Sequence, residues 1–315
     1  MKVTQLTDIP VRPPDEAEPR RVAIGTFDGV HVGHREVIRG NDTVLTFDPH
    51  PQAVINPDAA PRLVMPFAIK RDLIAGLGVE ELVVIPFDRE FASRSAEEFV
   101  DQVLIGQLGA RSVSVGENFR FGQRARGTAE FLASRAEFET RVVPLVEVAG
   151  ETVSSSQIRG LVAAGDVKKA AGFLGGPFML EGEVAHGDKR GRELGMPTAN
   201  IVPDDLLVSP GHGVYAAWAH GRPAAVNVGV RPMFETGRGL LVEAYLIDFE
   251  GDLYGRTLRV AFLDRMRGEK RFESIEALKE QMLLDVEQVR GICRASRGLP
   301  GGTELQDRRN RHGWP

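Results

Sequence analysis

Two histidines three residues apart, His31 and His34, lie in the stretch GTFDGVHVGH (Gly25–His34), directly after the apolar run Val22-Ala23-Ile24. Imidazoles at i and i+3 on an opening helical turn point the same way. Such a pair can donate hydrogen bonds to a phosphate that gains negative charge during a transfer step. Glycines such as Gly25 and Gly29 let the backbone approach a polyphosphate closely. If Val22–Ile24 is a strand, the loop sits at its carboxyl end, where open α/β sheets bind ligands and helix N-termini offer free amides to anions. Taken alone, an H-x-x-H pair also fits a plain strand-to-helix loop with solvated imidazoles. No third residue at metal-ligand spacing accompanies the pair, so the histidines are not expected to hold a metal.

A second constellation is HGDKRGRELGMPTAN (His186–Asn200). Gly187, Gly191 and Gly195 alternate with Lys189, Arg190 and Arg192, a flexible basic loop suited to a polyphosphate. Pro197 leads into Thr198 and Asn200, whose hydroxyl and amide oxygens are hard ligands suited to Mg²⁺. The stretch is not a Walker loop, since G-x-x-x-x-G-K-[ST] is absent. Its glycines and arginines taken singly fit a basic hairpin turn leading into a strand. Further on, Glu243 lies in LVEAYLID, where alternation places it on one face with Leu241, Tyr245 and Ile247. A carboxylate among apolar neighbours is costly unless it has a partner or a chemical task.

These residues need elements to position them. In the first half, RRVAIG, DTVLTF, ELVVIPF, RSVSVG and TRVVPLV read as strands alternating with helical patterns, which implies a parallel sheet wrapped by helices. SAEEFVDQVLIGQLG reads as a helix: Ser95 and Glu98 have capping-box spacing, and Phe99, Val103, Leu104 and Leu108 fall along one face. After about residue 175, short β-type runs (FMLEGEV, GVYAAWA, PAAVNVG, LVEAYLID and TLRVAFL) are separated by Gly, Pro and Asp, as in an antiparallel barrel or sandwich. An amphipathic helix follows in SIEALKEQMLLDVEQVR, and Gly175-Gly176-Pro177 makes a natural hinge between the halves. Two unlike domains are expected, residues 1–175 and 176–297, with an aperiodic tail from 298 to 315 read as disordered.

Composition narrows the functional classes. The chain has 315 residues, a formal net charge of −5 and 42% hydrophobic residues. That balance argues against a nucleic-acid binder, which is usually basic. No run approaches the roughly 18 apolar residues of a membrane span. The opening MKVTQLTDIP lacks the apolar core of a signal peptide, and one cysteine, Cys293, allows no internal disulfide. A cytoplasmic protein is the expectation; oligomeric state is left open.

Four motifs in order, GTFDGVHVGH, TFDPHP (Thr46–Pro51), VGENFRFG (Val115–Gly122) and VSSSQIRG (Val153–Gly160), resemble the FMN adenylyltransferase module of bacterial bifunctional riboflavin kinase/FAD synthetases. That module belongs to the nucleotidylyltransferase superfamily, which includes class I aminoacyl-tRNA synthetases; no KMSKS-like segment supports the latter. The basic loop with PTAN, LVEAYLIDFEGDLYG and RMRGEKRF resembles the riboflavin kinase module, with Met196 where Phe is expected. The resemblance implies a Rossmann-like, doubly wound parallel sheet followed by an antiparallel β-barrel with a terminal helix. It implies that His31 and His34 contact ATP phosphates in a nucleotide loop that includes Gly25, Phe27, Asp28 and Gly29. His50 and Asn118 would line the FMN and ATP site, and Ser155, Ser156 and Arg159 would hold phosphates near a helix start. In the second half it implies ATP and Mg²⁺ at Gly187, Lys189, Gly191, Gly195, Pro197, Thr198 and Asn200, with Glu243 as general base. Arg267 would help close the flavin site or simply form a surface salt bridge. The implied reactions convert riboflavin to FMN, releasing ADP, and FMN to FAD, releasing pyrophosphate.

One departure stands out. Nine residues separate His34 from Val44, which should open the second strand. A parallel crossover normally takes a dozen or more, including a helix. Members of the resembled family carry a longer helix here, so either the helix is truncated or a segment is missing. A truncated helix predicts an impaired adenylyltransferase half, and a kinase-only enzyme is the second reading. A flavin-binding regulatory or storage module without catalysis is the third.

Overall fold

The computed structural model describes residues 1–13, 18–186, 195–230 and 240–296. Contacts divide the chain into two units, the first made of Met1–Pro61 and Phe67–Ser154, the second of Arg62–Pro66 and the chain from Ser155 onward.

The first unit is built on six parallel strands: β1 (Lys2–Gln5), β2 (Arg20–Ile24), β3 (Thr43–Asp48), β4 (Glu81–Pro86), β5 (Ala110–Gly116) and β6 (Glu139–Val143). Their order is β1-β4-β3-β2-β5-β6. Consecutive Val22, Ala23 and Ile24 are all buried, as are Leu82 to Ile85. Uninterrupted burial means both faces of the sheet are covered, and this explains why these strands read as continuous apolar runs. The chain leaves β2 for β3 on one side and returns to β5 on the other, so the gap between β2 and β5 is the topological switch point of the sheet.

The short crossover holds a helix of seven residues. α1 spans only Val32–Ile38, yet β2 and β3 pair in parallel with Val22 opposite Thr43. Val37 and Ile38 bury against the sheet. α2 (Pro51–Ile55) follows β3, and α3 (Phe67–Gly76) precedes β4. The expected helix after Ser95 begins with a full capping box: Ser95 Oγ accepts the Glu98 N–H, and Glu98 accepts the Ser95 N–H. Phe99, Val103, Leu104 and Leu108 are buried as the periodicity predicts. From Phe99 to Gln107 the winding widens to π-type, with the Leu108 N–H reaching the Val103 carbonyl. This places the Gln107 amide where it donates to the Leu6 and Ile9 carbonyls.

The second unit opens with α4 (Ser155–Ala164) and α5 (Val167–Leu174). Asp166 caps α5 by accepting the Lys169 N–H, and Gly175 ends it in a left-handed conformation that favours glycine. Then come β7 (Phe178–Ala185), β8 (Ala199–Pro203), β9 (Gly213–Ala219), β10 (Arg222–Val230), β11 (Leu240–Leu246) and β12 (Thr257–Arg267). All pair antiparallel and close a barrel in the order β7-β8-β11-β10-β9-β12. Val226, Val228, Val242, Ala244, Val260 and Phe262 are fully buried. Of the barrel and sandwich alternatives, closure selects the barrel. α6 (Ile275–Ser296) covers part of the outer wall through Val289 and Cys293, which pack with Ala216 and Ile247.

Candidate active sites

In the first unit, the loop after β2 leaves the sheet at its switch point. Phe27 and Val30 hold left-handed backbones, φ 49° and 40°, and both side chains are buried. A β-branched residue there is strained, and burial of the two side chains holds the loop in that shape. His31 then caps α1: its Nδ1 accepts the His34 N–H at 3.2 Å. A nitrogen that accepts carries no proton, so the neutral ring bears its hydrogen on Nε2. The His31 and His34 rings stack with centroids 3.5 Å apart and planes 16° from parallel. Phe27 meets His34 edge-on at 5.4 Å. A Cβ at Gly33 would lie 3.2 Å from the His31 ring, a tight contact.

Burial lowers the His31 pKa to about 4. His34 is pushed well below the ordinary histidine value by burial first, then by the charges of His31 and Lys70. Both imidazoles are therefore neutral near pH 7 and offer N–H donors without charge. Among the described residues, His34 Nδ1 has no hydrogen-bond partner.

Lys70, on α3, was not singled out by sequence. Its ammonium lies 3.3 Å from the Thr26 carbonyl and 3.4 Å from Thr46 Oγ1, bridging the loop that follows β2 and strand β3 itself. Burial lowers its pKa, opposed by Asp28 and Asp48. Nothing in its local pattern separates it from a solvated helix lysine. Gly25 faces Phe27, where a Cβ would lie 3.0 Å from the ring, and Asp28 is buried while Gly29 takes φ 95°. His50, after β3, caps α2 with Nδ1 accepting the Gln52 N–H at 3.2 Å. Asn118 is exposed in the turn after β5. Four sequence-predicted features, the Gly25–His31 loop, His34, His50 and Asn118, thus follow the carboxyl ends of β2, β3 and β5. Ser155, Ser156 and Arg159 belong to the second unit, in the first turns of α4, where Arg159 Nη1 donates to Ser156 Oγ at 3.2 Å.

In the second unit, the ladder brings Asn200 on β8 directly opposite Glu243 on β11. On the other side of Glu243 stands Asn227 of β10. Directly opposed Cβ atoms lie roughly 5 Å apart on one face, so the three side chains form a row. Val242, Ala244 and Leu246 are buried while Glu243 is half-buried, so the row lies on the outer wall of the barrel. Asn227 was missed, although it interrupts buried Val226 and Val228 as Glu243 interrupts Val242 and Ala244. Thr198 is half-buried just before β8, Pro197 is exposed, Gly195 has φ 79°, and Met196 is buried. Gly187, Lys189 and Gly191 lie outside the described residues.

Thr198 and Asn200 supply a hydroxyl and an amide oxygen, hard donors that suit Mg²⁺. No group of three His, Cys, Asp or Glu among the described residues could hold a metal, so any ion here would rely on neutral oxygens and phosphates. Arg267, at the end of β12, is paired with Asp285 of α6 at 2.7 Å, and Asp285 is 4% exposed. Asp285 also accepts the Gln281 amide at 3.0 Å.

Residues 14–157 match the family model described as FAD synthetase, and residues 174–293 the one described as riboflavin kinase. The chain is 36% identical to a bifunctional riboflavin kinase/FMN adenylyltransferase of Pseudomonas fluorescens, over 87% of this chain and 93% of that one. A protein of the same name from Bacillus subtilis (strain 168) is also 36% identical, over 85% and 90%. A crystal structure titled as a macrolide-efflux protein from Streptococcus pneumoniae matches with TM-score 0.78 and 32% identity, covering 90% of this chain and 98% of that one. Among the described residues, no helix is long and apolar enough to cross a membrane.

Proposed function

The chain belongs to the family of bifunctional riboflavin kinase/FMN adenylyltransferases, and from that premise we propose which of its residues carry each reaction. It phosphorylates riboflavin to FMN with ATP and adenylylates FMN to FAD with a second ATP. Residues 1–175 form the adenylyltransferase module and 176–297 the kinase module. The matches over 14–157 and 174–293 support that division.

In the kinase reaction, Glu243 takes the proton of the ribityl 5′-hydroxyl as its oxygen bonds to the γ-phosphorus, and ADP leaves. Asn200 and Asn227 flank the carboxylate and fix its direction. Thr198 and Asn200 would hold Mg²⁺, which when bound neutralises phosphate charge. Gly187, Lys189, Gly191, Gly195 and Pro197 complete the ATP loop. Arg267, bound to Asp285, anchors the end of β12 beside α6.

In the adenylyl transfer, a phosphate oxygen of FMN bonds to the α-phosphorus of ATP, the bond to the β-phosphate oxygen breaks, and pyrophosphate leaves. His31 and His34 donate N–H hydrogens to the α-phosphate as its charge grows. Neutral donors lower that barrier without locking the triphosphate ground state in a salt bridge. Lys70 adds positive charge beside the loop that follows β2. His50 and Asn118 position the nucleotide and flavin.

The observation that carries the adenylyltransferase assignment is the stacked, neutral His31–His34 pair, formed despite the short crossover. A kinase-only enzyme is not favoured, because residues 14–157 match the FAD synthetase model and the relatives are named as bifunctional. Incubation of the protein with riboflavin, ATP and Mg²⁺, with FMN separated from FAD over time, tests the reading. FMN should appear first and FAD follow. FMN accumulating without FAD overturns the second activity.

A further inference from the structure

α1 presents an energetic problem. A helix of seven residues is far below the roughly 12–15 needed for marginal stability alone. Its last carbonyls have no partners within the helix. Yet this helix carries His34 and is capped by His31, and adenylyl transfer depends on where both rings stand.

The partners come from 100 residues further along the chain. Arg141, on β6, donates from Nη2 to the carbonyls of Glu36 at 2.8 Å, Val37 at 3.0 Å and Arg39 at 2.8 Å. Its Nε donates to Ser114 Oγ on β5 at 3.1 Å, and Ser114 is buried. One guanidinium thus joins the C-terminal end of α1 to the two strands on the far side of the switch point from β3. A cation at a helix C-terminus also complements the helix dipole. Asn41 adds a second set of donors, from Nδ2 to the carbonyls of Val37 at 3.0 Å, Ile38 at 3.2 Å and Arg39 at 3.4 Å. This short helix is held by a clamp where a longer one would be held by its own turns.

We infer that Arg141, seconded by Asn41 and Ser114, is a positioning residue for adenylyl transfer, setting α1 so that the His31–His34 pair meets the α-phosphate. The inference rests on the adenylyltransferase reading above. Arg141 does not touch the reacting atoms. Its planar fork serves several carbonyls and a hydroxyl at once, which a lysine ammonium matches only in charge.

The test compares Arg141→Met, Arg141→Lys and Asn41→Ala in the full chain, with riboflavin phosphorylation read in the same samples. Displacement of α1 by a fraction of an ångström should lower kcat for FAD formation about 10- to 100-fold in Arg141→Met. The KM for FMN should stay within about twofold and the kinase rate should be unchanged, because neither binding loop is altered. Arg141→Lys should recover part of the lost kcat, and Asn41→Ala should show a smaller loss of the same kind. An unchanged kcat in Arg141→Met, or a loss confined to KM, overturns the inference. Loss of both reactions together also overturns it, because the clamp would then support folding of the chain and not the histidines. If the unmodified protein makes no FAD, it is the adenylyltransferase reading that falls, and the inference falls with it.

Discussion

His31 accepts the backbone N–H of His34 through Nδ1 while its ring lies stacked on the His34 ring 3.5 Å away. One hydrogen bond thereby sets three things: the start of α1, the tautomer of His31, and the direction of its remaining N–H. The pair works as one donor unit, and loss of either ring should disturb the other.

Replacing His31 with Ala removes a donor to the developing charge and the cap of α1. FAD formation from FMN and ATP should fall about 100- to 1000-fold. Riboflavin phosphorylation should be unaffected. Product separation over time checks both rates, and equal loss of the two would contradict independent sites.

The low pKa of His31, about 4, has a consequence for stability. The unfolded ring protonates near its ordinary value of about 6.5 while the folded ring stays neutral, so the unfolded state binds more protons between these values. Stability conferred by the neutral buried ring is intact above about pH 6.5 and is lost as pH falls toward 4, by an amount on the order of 3 kcal/mol. Urea unfolding of the native chain and of His31→Gln across this range should diverge as pH drops. Parallel curves would refute the burial-driven shift.

Glu243→Gln keeps the shape of the outer-wall row and removes its base. Riboflavin phosphorylation should drop about 100- to 10,000-fold. FAD formation from supplied FMN should persist. Retained kinase activity would require another proton acceptor.

Asn227→Ala leaves Glu243 without one of its two cross-strand neighbours. The expected effect is a kinase kcat lowered about tenfold, of the size of one lost hydrogen bond to a charged group, with the KM for ATP little changed. A change in KM alone would place Asn227 in nucleotide binding.

Arg267 and Asp285 form an ion pair in which the carboxylate is buried. Asp285→Ala should destabilise the kinase module by about 3–5 kcal/mol, because an arginine is left unpaired against α6. The apolar double replacement Arg267→Met with Asp285→Leu should regain most of that loss. Thermal unfolding of the two variants decides it.

Much of this was legible in the sequence because the physics was local. The central strands β2 and β4 are buried on both faces over Val22–Ile24 and Leu82–Ile85 and therefore read as unbroken apolar runs, and the Ser95 capping box is spelled out in four consecutive residues. β1 was not recognised: Lys2–Gln5 is a largely exposed edge strand with no apolar period. β8 escaped because Ala199–Pro203 overlaps the end of the PTAN motif. Asn227 carried the same outward-facing signal as Glu243, but a neutral amide between apolar neighbours is a weaker signal than a carboxylate. Lys70 and Arg141 act across 44 and 105 residues of chain, through contacts that exist only once the sheet order is set. Helical winding after Phe99 widens to π-type for a similar reason, since Gln107 answers to carbonyls about 100 residues earlier.

Closure of the barrel carries a consequence for how such a protein can diverge. Glu243 faces outward only because β11 is in register with β8 on one side and β10 on the other. A strand that slips by one residue turns every side chain to the opposite face, and a closed ring has no edge at which such an error could be absorbed. Insertions and deletions within β11 would therefore bury the carboxylate in the barrel interior, and those within β8 or β10 would turn Asn200 or Asn227 away from it. Those between strands leave the row of Asn200, Glu243 and Asn227 untouched. Diversification of the kinase half is channelled into its connections, while the six strands are inherited as a fixed count.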